Sequence, residues 1–524
     1  MAEAVYSTAT LKDAGADRFD SLAGKVHPAI LKALENMDYE YMTPVQSKVL
    51  SQLPTLQSDC LVQAKTGTGK TIAFLLPVLQ SLLTGPAVPR GQVAVLIMSP
   101  TRELAQQIAK ECDRLTACLP RRIECHTAFG GTTRNANLSR FMNGNPTILV
   151  ATPGRLKDYL TEEKTVARFD NLRCLILDEA DTMLEQGFLQ DVRQILRLLP
   201  PKNTGWQGMC FSATIPDKIR DVLSTVLAKG YTSVSAIDAS EPPTHARVPQ
   251  FHVVIPTVQD TFRALLSLIT FEIKESGEHP KIIVFGTTAN LVALYAALFR
   301  GLPNALPVYE LHSRLSQPQR TRTTDAFKVA EKGILLATDV VGRGMDFPNV
   351  TSVVQVGLPM NGEQYVHRVG RTARADKDGR AVIMLTQAES FFLNVNRQLP
   401  IQPYAHSAAI LADSAAADQA AAILATIDEG TKQKGYSAYL GFMKGFMHKL
   451  RLSPEGLVAV ANDLAILGMG CPEPPAMEKK TVGKMGLKGV RGLRPYAVFR
   501  DVFSALLSRC INARQCLHKA GATA

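Results

Sequence analysis

Three carboxylates directly follow one apolar run of the sequence. Residues 172–177 are hydrophobic apart from Arg173, and Asp178, Glu179 and Asp181 come immediately after them. In a parallel α/β sheet a buried strand is a near-continuous hydrophobic run, and ligands bind outside the carboxyl ends of such strands. Carboxylates at that place can hold Mg²⁺ and orient a water, provided that a phosphate-binding loop lies elsewhere. An ordinary acidic helix N-terminus is the alternative, since Asp and Glu also favour that position.

A second motif supplies the phosphate-binding loop. It lies between a predicted strand at residues 60–64 and a predicted helix that extends through residue 83, and it consists of Ala64, Lys65, Thr66, Gly67, Thr68, Gly69, Lys70 and Thr71. The loop N–H groups and the helix N-terminus would bind phosphates, with Lys70 at the β and γ oxygens and Thr71 at Mg²⁺. Ala64 departs from the strict pattern, which has glycine there. The strand–loop–helix context nevertheless predicts a nucleoside triphosphate site.

Two residues before this loop could recognise a base. Tyr39 and Gln46 flank a break at Thr43 and Pro44 between helices predicted within residues 19–56. A Gln side chain carries both donors and an acceptor, which suits the adenine edge, and a Tyr ring offers a flat face for stacking. A buried aromatic residue and a surface Gln are the alternative.

Hydroxyl groups, backbone N–H groups and arginines recur where other predicted strands end. Such groups contact phosphate and sugar without reading sequence. Predicted strands at residues 93–98, about 123–129, 148–151 and 209–211 are followed by Pro100, Thr101, Arg102, Gly130, Gly131, Thr152, Arg155, Ser212 and Thr214. Each group could belong to an ordinary loop, but their recurrence predicts one common surface.

A second series of alternating strands and helices follows. Strands are predicted at residues 281–285, 307–311, 333–337, 352–356 and, as the last, 381–385. This alternation predicts a parallel sheet with right-handed crossovers. No phosphate-binding loop occurs in this half, but Arg371 and Arg374 are three residues apart and share a helix face. They could reach a nucleotide bound to the first half as arginine fingers, and a solvated basic helix is the alternative.

Length, charge and cysteine content narrow the class of protein. A chain of 524 residues is too long for one core. The net charge of +11 predicts a polyanionic partner. Nine cysteines without CxxC pairs indicate reduced thiols in an intracellular compartment.

No apolar run has the length of a membrane span. Residues 1–18 are neither a secretory signal nor a transit peptide, so either the protein is not exported from the cytosol or a presequence is absent.

The predicted organisation has five parts. We predict an N-terminal domain at residues 1–235, a linker at 236–250, a second domain at 251–398, a helical extension at 399–478 and a basic tail at 479–524. The tail contains ten Lys or Arg residues and one Asp, a net charge of +9 against +11 for the whole chain. Because glycines interleave with its lysines, we expect a flexible basic strand rather than a packed helix.

These motifs resemble those of the DEAD-box ATP-dependent RNA helicases. The matches occur in the family's order, at residues 43–46, 64–71, 100–104, 130–131, 152–155, 178–181, 212–214, 317–320, 337–346 and 367–374. Ala64 is the family's own form of the loop. Asp38 and Tyr39 stand where the family usually has Gly and Phe, and Ala373 replaces a commoner Gly. Residues 241–242 and 344–350 and the basic extension resemble the fungal mitochondrial group, which acts as RNA chaperones in intron splicing and translation.

The resemblance implies an α/β fold of two RecA-like domains with parallel sheets, plus a mostly helical C-terminal extension with a basic tail. It also implies roles for residues of this sequence. Glu179 would act as general base, Lys70, Arg371 and Arg374 would stabilise transition-state charge, and Thr71 and Asp178 would hold Mg²⁺. The implied ATP site adds Tyr39, Gln46, Ala64, Lys65, Thr66, Gly67, Thr68, Gly69, Gly344 and Asp346, the last at the ribose. RNA would be held by Pro100, Thr101, Arg102, Gly131, Thr152, Arg155, Arg320 and Thr338, and the domains would be coupled by Asp181, Ser212, Thr214 and His367.

The implied function is an ATP- and Mg²⁺-dependent RNA helicase or RNA chaperone that binds single-stranded and duplex RNA regardless of sequence. We expect a monomer that does not associate with membranes. The resemblance implies a location in the mitochondrial matrix, and the cytoplasm or nucleus is the alternative. Two other functions stay open: an ATP-dependent RNA clamp or scaffold without productive unwinding, and a DNA helicase.

Overall fold

The computed structural model of the chain describes residues 8–52, 58–64, 67–131, 134–185, 187–215, 217–237, 248–339, 347–373 and 379–496. Two seven-stranded parallel sheets dominate these residues. The first consists of β1 Cys60–Gln63, β2 Val95–Met98, β3 Cys125–Ala128, β4 Ile148–Ala151, β5 Cys174–Asp178, β6 Gln207–Ser212 and β7 Thr232–Ser235. The second consists of β8 Gln250–Ile255, β9 Lys281–Phe285, β10 Val308–Leu311, β11 Gly333–Ala337, β12 Ser352–Val356, β13 Arg380–Thr386 and β14 Ile401–Pro403.

The two sheets have the same strand order. The first runs β3-β4-β2-β5-β6-β1-β7 and the second runs β10-β11-β9-β12-β13-β8-β14. Each strand of the second sheet therefore occupies the place of the strand seven positions earlier. The second half repeats the topology of the first, which confirms the predicted pair of α/β domains with parallel sheets.

Helices cover both faces of the sheets. In the first half they are α1 Thr8–Asp13, α2 Pro28–Glu35, α3 Pro44–Leu50, α4 Lys70–Thr84, α5 Arg102–Thr116, α6 Arg134–Asn143, α7 Pro153–Tyr159, α8 Glu163–Val166, α9 Ala180–Glu185, α10 Leu189–Leu198 and α11 Asp217–Val226. The second half continues with α12 Thr261–Glu275, α13 Ala289–Arg300, α14 Gln317–Val329, α15 Gly362–Val369 and α16 Phe391–Val395. Short 3₁₀ turns lie at Phe19–Leu22, Ala167–Phe169, Lys202–Thr204, Val258–Asp260 and Gln387–Ser390.

The C-terminal extension is helical and shares the core of the second half. Its elements are α17 Ser407–Ala412, α18 Ser414–Thr426, α19 Glu429–Lys444, α20 Met447–Leu450, α21 Pro454–Asp463, a π-helical turn at Leu464–Gly468, and α22 Lys479–Lys484. Tyr436 and Leu440 of α19 belong to one buried cluster with Leu294 and Leu298 of α13. Gly435 brings α19 close to α13, since a Cβ there would lie 3.0 Å from Leu294. The extension thus packs on the second sheet's helices.

Several strands have the bounds expected from sequence, and others were missed. The strands predicted at residues 148–151, 281–285, 333–337 and 352–356 are observed with those limits. The prediction that residues 381–385 form the last strand was wrong, because β14 follows and pairs with β8. β8 itself begins at Gln250, one residue inside the predicted linker. The predicted domain limits otherwise stay predictions, and linker residues 238–247 lie outside the described residues.

The first part of the basic tail is folded. Residues 479–484 form α22, and Met477-Glu478 pairs with Pro495-Tyr496 as a two-stranded parallel sheet, β15 and β16. Val482 and Leu487 are buried in the extension's core. The expectation of a flexible strand was therefore wrong for residues 479–496, because these two apolar side chains anchor the glycine- and lysine-rich segment. Residues 497–524 lie outside the described residues.

No helix of the described residues is long and apolar enough to cross a membrane.

Candidate nucleotide and RNA site

The phosphate-binding loop connects β1 to α4 as predicted. Gly67 and Gly69 have φ values of 77° and 87°, in the left-handed region that favours glycine. Gly69 is also confined by packing, since a Cβ there would lie 2.5 Å from Nε2 of Gln46. Thr68 is buried, Thr71 is half-buried at the first turn of α4, and Ala64 donates its N–H to the Ser212 carbonyl at 3.0 Å. Lys65 and Thr66 lie outside the described residues.

Lys70 begins α4 and faces the acidic end of β5. Its side chain is buried, and Nζ donates to the Ala64 carbonyl at 3.3 Å. Burial raises the pKa of Asp178 to about 7, and the positive charge of Lys70 opposes that rise. The two groups are therefore close enough to interact electrostatically. Oδ1 of Asp178 is buried and has no hydrogen-bond partner among the described residues. A buried carboxylate oxygen without a donor is suited to a cation.

Glu179 follows Asp178 in a backbone conformation that is rare outside glycine. Its φ is 51°, which turns the chain sharply between β5 and α9. The carboxylate is buried, and the hydroxyl of Thr182 donates to Oε2 at 3.4 Å. This contact was not expected from sequence, because Thr182 alone carries no signal that its hydroxyl lies one helical turn from the carboxylate.

Asp181 connects the acidic motif to the end of β6. Its Oδ2 accepts hydrogen bonds from the N–H groups of Ala213 and Thr214, at 3.1 and 3.0 Å, and from the Thr214 hydroxyl at 3.1 Å. The Asp181 N–H donates to the Ser212 hydroxyl at 3.3 Å. Three of the predicted coupling residues thus lie together. The fourth, His367, is in the second half, where its carbonyl accepts from Nε of Arg371 at 3.2 Å.

Gln46 is held between the N-terminus of α3 and the phosphate loop. Its Oε1 accepts from the Thr43 N–H at 2.8 Å, and its Nε2 donates to the Gly69 carbonyl at 3.1 Å. The first bond completes a capping box with Thr43. The amide, which is only 2 % exposed, therefore links helix α3 to the loop. These two bonds use one Nε2 hydrogen and one Oε1 lone pair, and the second hydrogen and lone pair are the groups that would pair with an adenine edge.

Tyr39 lies beyond the C-terminus of α2 and is half-buried. Asp38 takes the left-handed conformation, with φ of 60°, at the position where the family has glycine. The Tyr39 hydroxyl donates to Oε1 of Glu111 on α5 at 2.7 Å. Burial, followed by the charge of Glu111, raises the pKa of the Tyr39 hydroxyl. Glu111 was not expected to take part, because it is 72 residues distant in sequence.

The predicted RNA contacts of the first half lie at the ends of three neighbouring strands. β2, β4 and β3 are adjacent at one edge of the sheet. Thr101 caps α5 by accepting from the Leu104 N–H at 3.2 Å. Arg102 packs against the loop after β3, since a Cβ at Gly130 would lie 2.7 Å from its Nη2. Gly131 has φ of 85°, so glycine is required there.

The other predicted contacts of this edge are placed by β2 and β4. Pro100 is buried directly after β2, and Thr152 is buried after β4, at the N-terminus of α7. One turn into α7, Nε of Arg155 lies 3.7 Å from Oδ2 of Asp158. The five residues Thr101, Arg102, Gly131, Thr152 and Arg155 thus share one edge, as the sequence predicted.

A contact between the two halves meets this edge. Arg320 of α14 places Nη2 2.5 Å from Oε1 of Glu103 on α5, and Gln317 donates Nε2 to the same oxygen at 3.2 Å. All three side chains are buried. Arg320, predicted to bind RNA, therefore already has an acidic partner from the other half. Thr338 follows β11 and donates its N–H to the Leu311 carbonyl at 3.2 Å.

In the second half, Arg368 makes an ion pair that was not expected. Arg368 donates to both carboxylate oxygens of Asp339, at 2.7 and 2.8 Å, and lies over the ring of Phe285. No role for Arg368 was predicted from the sequence, although it stands in the same motif as Arg371. Arg371 is 1 % exposed. Ala373 has φ of 51°, again where the family has glycine. Arg374, Gly344 and Asp346 lie outside the described residues.

Two RecA-like parallel sheets, a phosphate-binding loop and an acidic strand end define a two-domain P-loop protein. Sequence comparison narrows this class. The DEAD/DEAH box helicase family matches residues 43–222, and the Helicase conserved C-terminal domain matches residues 260–376. The chain belongs to the DEAD-box ATP-dependent RNA helicases, as the motifs indicated.

Two fungal relatives cover most of the chain. It is 62% identical to "ATP-dependent RNA helicase mss116, mitochondrial" from Aspergillus oryzae, covering 93% of this chain and 77% of the relative. It is 56% identical to the protein of the same name from Phaeosphaeria nodorum, covering 93% and 88%. These relatives confirm the resemblance to the fungal group.

A solved structure has the same architecture. Mss116p (NTE and C-tail double deletion) bound to ssRNA and AMP-PNP matches with a TM-score of 0.77 and 28% identity, over 92% of this chain and 97% of that one. The matched 92% of the chain is more than the two sheets and their helices occupy, so the match includes the helical extension as well.

Proposed function

We propose that the chain is an RNA-dependent ATPase that binds RNA without reading sequence, separates short duplexes locally and hydrolyses ATP to release the RNA. The observation that carries this proposal is the buried end of β5. There Asp178 has an oxygen without a hydrogen-bond partner in the described part of the chain, near Lys70 and beside Glu179. RNA is the polyanion in complex with the structurally similar Mss116p.

A magnesium ion fits the residues at this place. Mg²⁺ binds through one or two carboxylates, waters and substrate phosphates, so it needs no cluster of protein ligands. Asp178 and the Thr71 hydroxyl are the residues that would hold the ion, which would neutralise charge on the phosphates.

Each side chain at the nucleotide site has a separate role in ATP hydrolysis. Lys70 and the loop N–H groups bind the phosphates, and Glu179 takes the proton of the attacking water. The Thr182 hydroxyl lies 3.4 Å from Oε2 of Glu179 and can help to orient that carboxylate. Arg371, with Arg374, is placed on the second half to stabilise transition-state charge. Because both halves contribute, catalysis requires that they close on the nucleotide.

RNA binding uses the edge formed by β2, β4 and β3 together with α14. The groups at this edge are backbone-directed hydroxyls, N–H groups and arginines, which contact phosphate and sugar. Sequence-tolerant binding follows. Because ATP and RNA both favour the closed arrangement, each should raise the affinity for the other by the same factor.

The fungal relatives are named mitochondrial, and we place this protein in the mitochondrial matrix as well, acting in intron splicing and RNA folding. Fractionation of cells that express the full-length protein tests this placement.

Release of a short RNA duplex tests the proposed function. We expect release with ATP in repeated turnovers, and a single round or less with a non-hydrolysable analogue. Equal release with both nucleotides would identify an ATP-dependent clamp instead. Competition by 2′-deoxy oligonucleotides serves as the second arm, since contacts to the 2′-OH distinguish RNA from DNA. Full competition by the DNA strand would identify a DNA helicase.

A further inference from the structure

Tyr39 is fixed at its backbone from several directions. Its N–H donates to the Leu34 carbonyl at 3.0 Å, closing the turn that Asp38 makes in the left-handed conformation. On the next residue, the Glu40 carbonyl accepts from the Phe19 N–H at 3.0 Å. These hydrogen bonds hold the backbone at Tyr39 against α2, so the direction of the ring depends on its side-chain contacts.

Two contacts set that direction. The edge of the ring packs against Phe19, with centroids 6.3 Å apart and planes 63° apart. The hydroxyl donates to Oε1 of Glu111 at 2.7 Å. A hydrogen bond to a carboxylate is short and roughly twice as strong as a neutral one. The Glu111 bond is therefore the stronger constraint on the ring.

Glu111 is well placed to hold this bond. Its side chain is 14% exposed, and its second oxygen lies 3.7 Å from Nη1 of Arg114. A carboxylate at this depth is screened less by water than a surface one. It lies in the third turn of α5, the same helix that begins at Arg102 and Glu103. The contact thus joins Tyr39 to the helix whose first turn forms the proposed RNA edge.

We propose that Glu111 is a positioning residue for nucleotide binding, which holds the Tyr39 ring in the orientation that stacks on the adenine base. The inference rests on the proposed function and on the base-stacking role that the sequence predicts for Tyr39. Phe, the family's usual residue at this position, supplies the same face but has no hydroxyl to orient. The Tyr–Glu pair is therefore a feature of this chain that fixes the ring before the base arrives, so less side-chain freedom is lost on binding.

Substitutions in the Tyr39–Glu111 pair should change the affinity for ATP. Tyr39→Phe keeps the ring and loses the bond, so we expect KM for ATP to rise about threefold to tenfold with kcat unchanged. Glu111→Ala should give the same rise. Because the two substitutions remove one shared interaction, the double variant should be no worse than either single one. Glu111→Gln, whose amide oxygen still accepts from the hydroxyl but carries no charge, should lie between the parent protein and Glu111→Ala.

A ligand without a base distinguishes a role of Glu111 in base binding from a purely structural role. Inorganic tripolyphosphate occupies the phosphate loop alone, so its inhibition constant should be the same in all variants. If Tyr39→Phe or Glu111→Ala weakened tripolyphosphate and ATP equally, the pair would support the fold rather than the base, and the inference would be overturned. Thermal unfolding of each variant provides the parallel measure of fold.

The outcome separates this inference from the proposed function. If Tyr39→Ala raises KM for ATP but Tyr39→Phe does not, stacking is retained as an explanation and the role of Glu111 is rejected. If Tyr39→Ala leaves KM unchanged, the stacking role itself is rejected. If Tyr39→Phe and Glu111→Ala both raise KM for ATP without additivity, and tripolyphosphate is unaffected, Glu111 positions the ring.

Discussion

Arg320 of the second half lies 2.5 Å from Glu103 of the first half, guanidinium Nη2 against carboxylate Oε1. Both side chains are less than 10% exposed. Burial lowers the pKa of the Arg320 guanidinium, and Glu103 opposes that change. Within the described residues, Oε2 of Glu103 and Nε of Arg320 have no hydrogen-bond partner. The pair therefore joins the halves, and it leaves one buried N–H of Arg320 without an acceptor.

Glu103→Gln should weaken the coupling between ATP and RNA. Loss of the negative charge leaves the buried Arg320 without its counter-ion, which makes the closed arrangement less favourable. We expect the ratio of RNA Kd values measured without and with a non-hydrolysable ATP analogue to fall about fivefold or more, within the usual range of such coupling. Arg320→Gln should lower the ratio similarly and should also weaken RNA binding without nucleotide. An unchanged ratio in Glu103→Gln would show that the pair does not serve closure.

Glu179→Gln should retain binding and lose turnover. The amide keeps the shape of the carboxylate and can still accept from the Thr182 hydroxyl, but it cannot take a proton. General-base groups contribute about 10²- to 10⁴-fold, so kcat for RNA-stimulated ATP hydrolysis should fall by at least about 100-fold. Steady-state ATPase assays and direct binding of ATP and RNA are the measurements. A kcat near that of the parent protein would remove Glu179 from the role of base.

The strand ends could be read from the sequence because buried parallel strands are short apolar runs that end in polar residues. Every residue of β4, β9, β11 and β12 is buried, and most of these residues are apolar. The missed strands do not fit that description. In β7 only Val234 is buried, and in β14 no residue is fully buried. These two strands lie at sheet edges, where one hydrophobic residue is enough to hold them. The third missed strand of these sheets, β8, lies between β13 and β14, but only Gln250, Val253 and Ile255 of it are buried, so it is not a continuous apolar run.

The parts of the site that depend on distant residues were beyond sequence reasoning. Lys70, Asp178 and Glu179 stand in motifs whose spacing indicates chemistry. Glu103, in contrast, is an acid in the first turn of a helix, which is an ordinary place for one, and its partner Arg320 is 217 positions away in the sequence. Such pairs form only when two sheets meet.

The tail was misjudged for a related reason. In residues 479–496 the four glycines and four lysines outnumber the six hydrophobic residues, and this composition alone predicts disorder. The structure shows that Val482 and Leu487 are buried against the extension. Two well-placed apolar side chains therefore hold a segment whose average composition is polar.

Glu389→Gln should make the protein more stable at neutral pH. Burial raises the pKa of the Glu389 carboxyl, although hydrogen bonds from Thr386 oppose the rise. It lines a small cavity that Tyr295 and Tyr439 of the extension's interface also line. An acid whose pKa is higher in the folded state favours folding at low pH, and this contribution is lost as the pH rises from the unfolded value of about 4.3 through the folded one.

The amide of Glu389→Gln does not titrate. The variant should therefore be more stable than the parent protein only at a pH where the parent's Glu389 is ionised in the unfolded state. We expect Tm of Glu389→Gln to exceed that of the parent protein by a few degrees at pH 8 and to match it near pH 4.5. Thermal unfolding across this range is the measurement, and Glu163→Gln, at an exposed position, is the control that should show no such difference. A difference of Tm that is independent of pH would contradict the assignment.

Neutralising the exposed charges of the folded tail should weaken duplex RNA binding without unfolding the extension. Residues 479–496 contain six Lys or Arg and no acid, so they provide most of the +9 net charge of residues 479–524. Their charged side chains are exposed, whereas Val482 and Leu487 are buried. Deletion from residue 479 would remove both anchors, and deletion from residue 497 would remove neither. Substitution by Gln therefore separates charge from fold at four positions: Lys480, Lys484, Lys488 and Arg491.

The salt dependence of RNA affinity is the measurement for this variant. A tether of charge acts by counterion release, with a slope of log K against log salt of about 0.7 to 0.9 per phosphate contact. We expect the slope to become shallower by up to about 3 units for the fourfold variant, with equal effects on RNAs of different sequence. A matched variant at four exposed positions elsewhere controls for total charge: Lys110, Arg122, Lys229 and Lys332. If the two fourfold variants have the same slope, the tail's charge serves another partner, because its position on the extension then makes no difference to RNA.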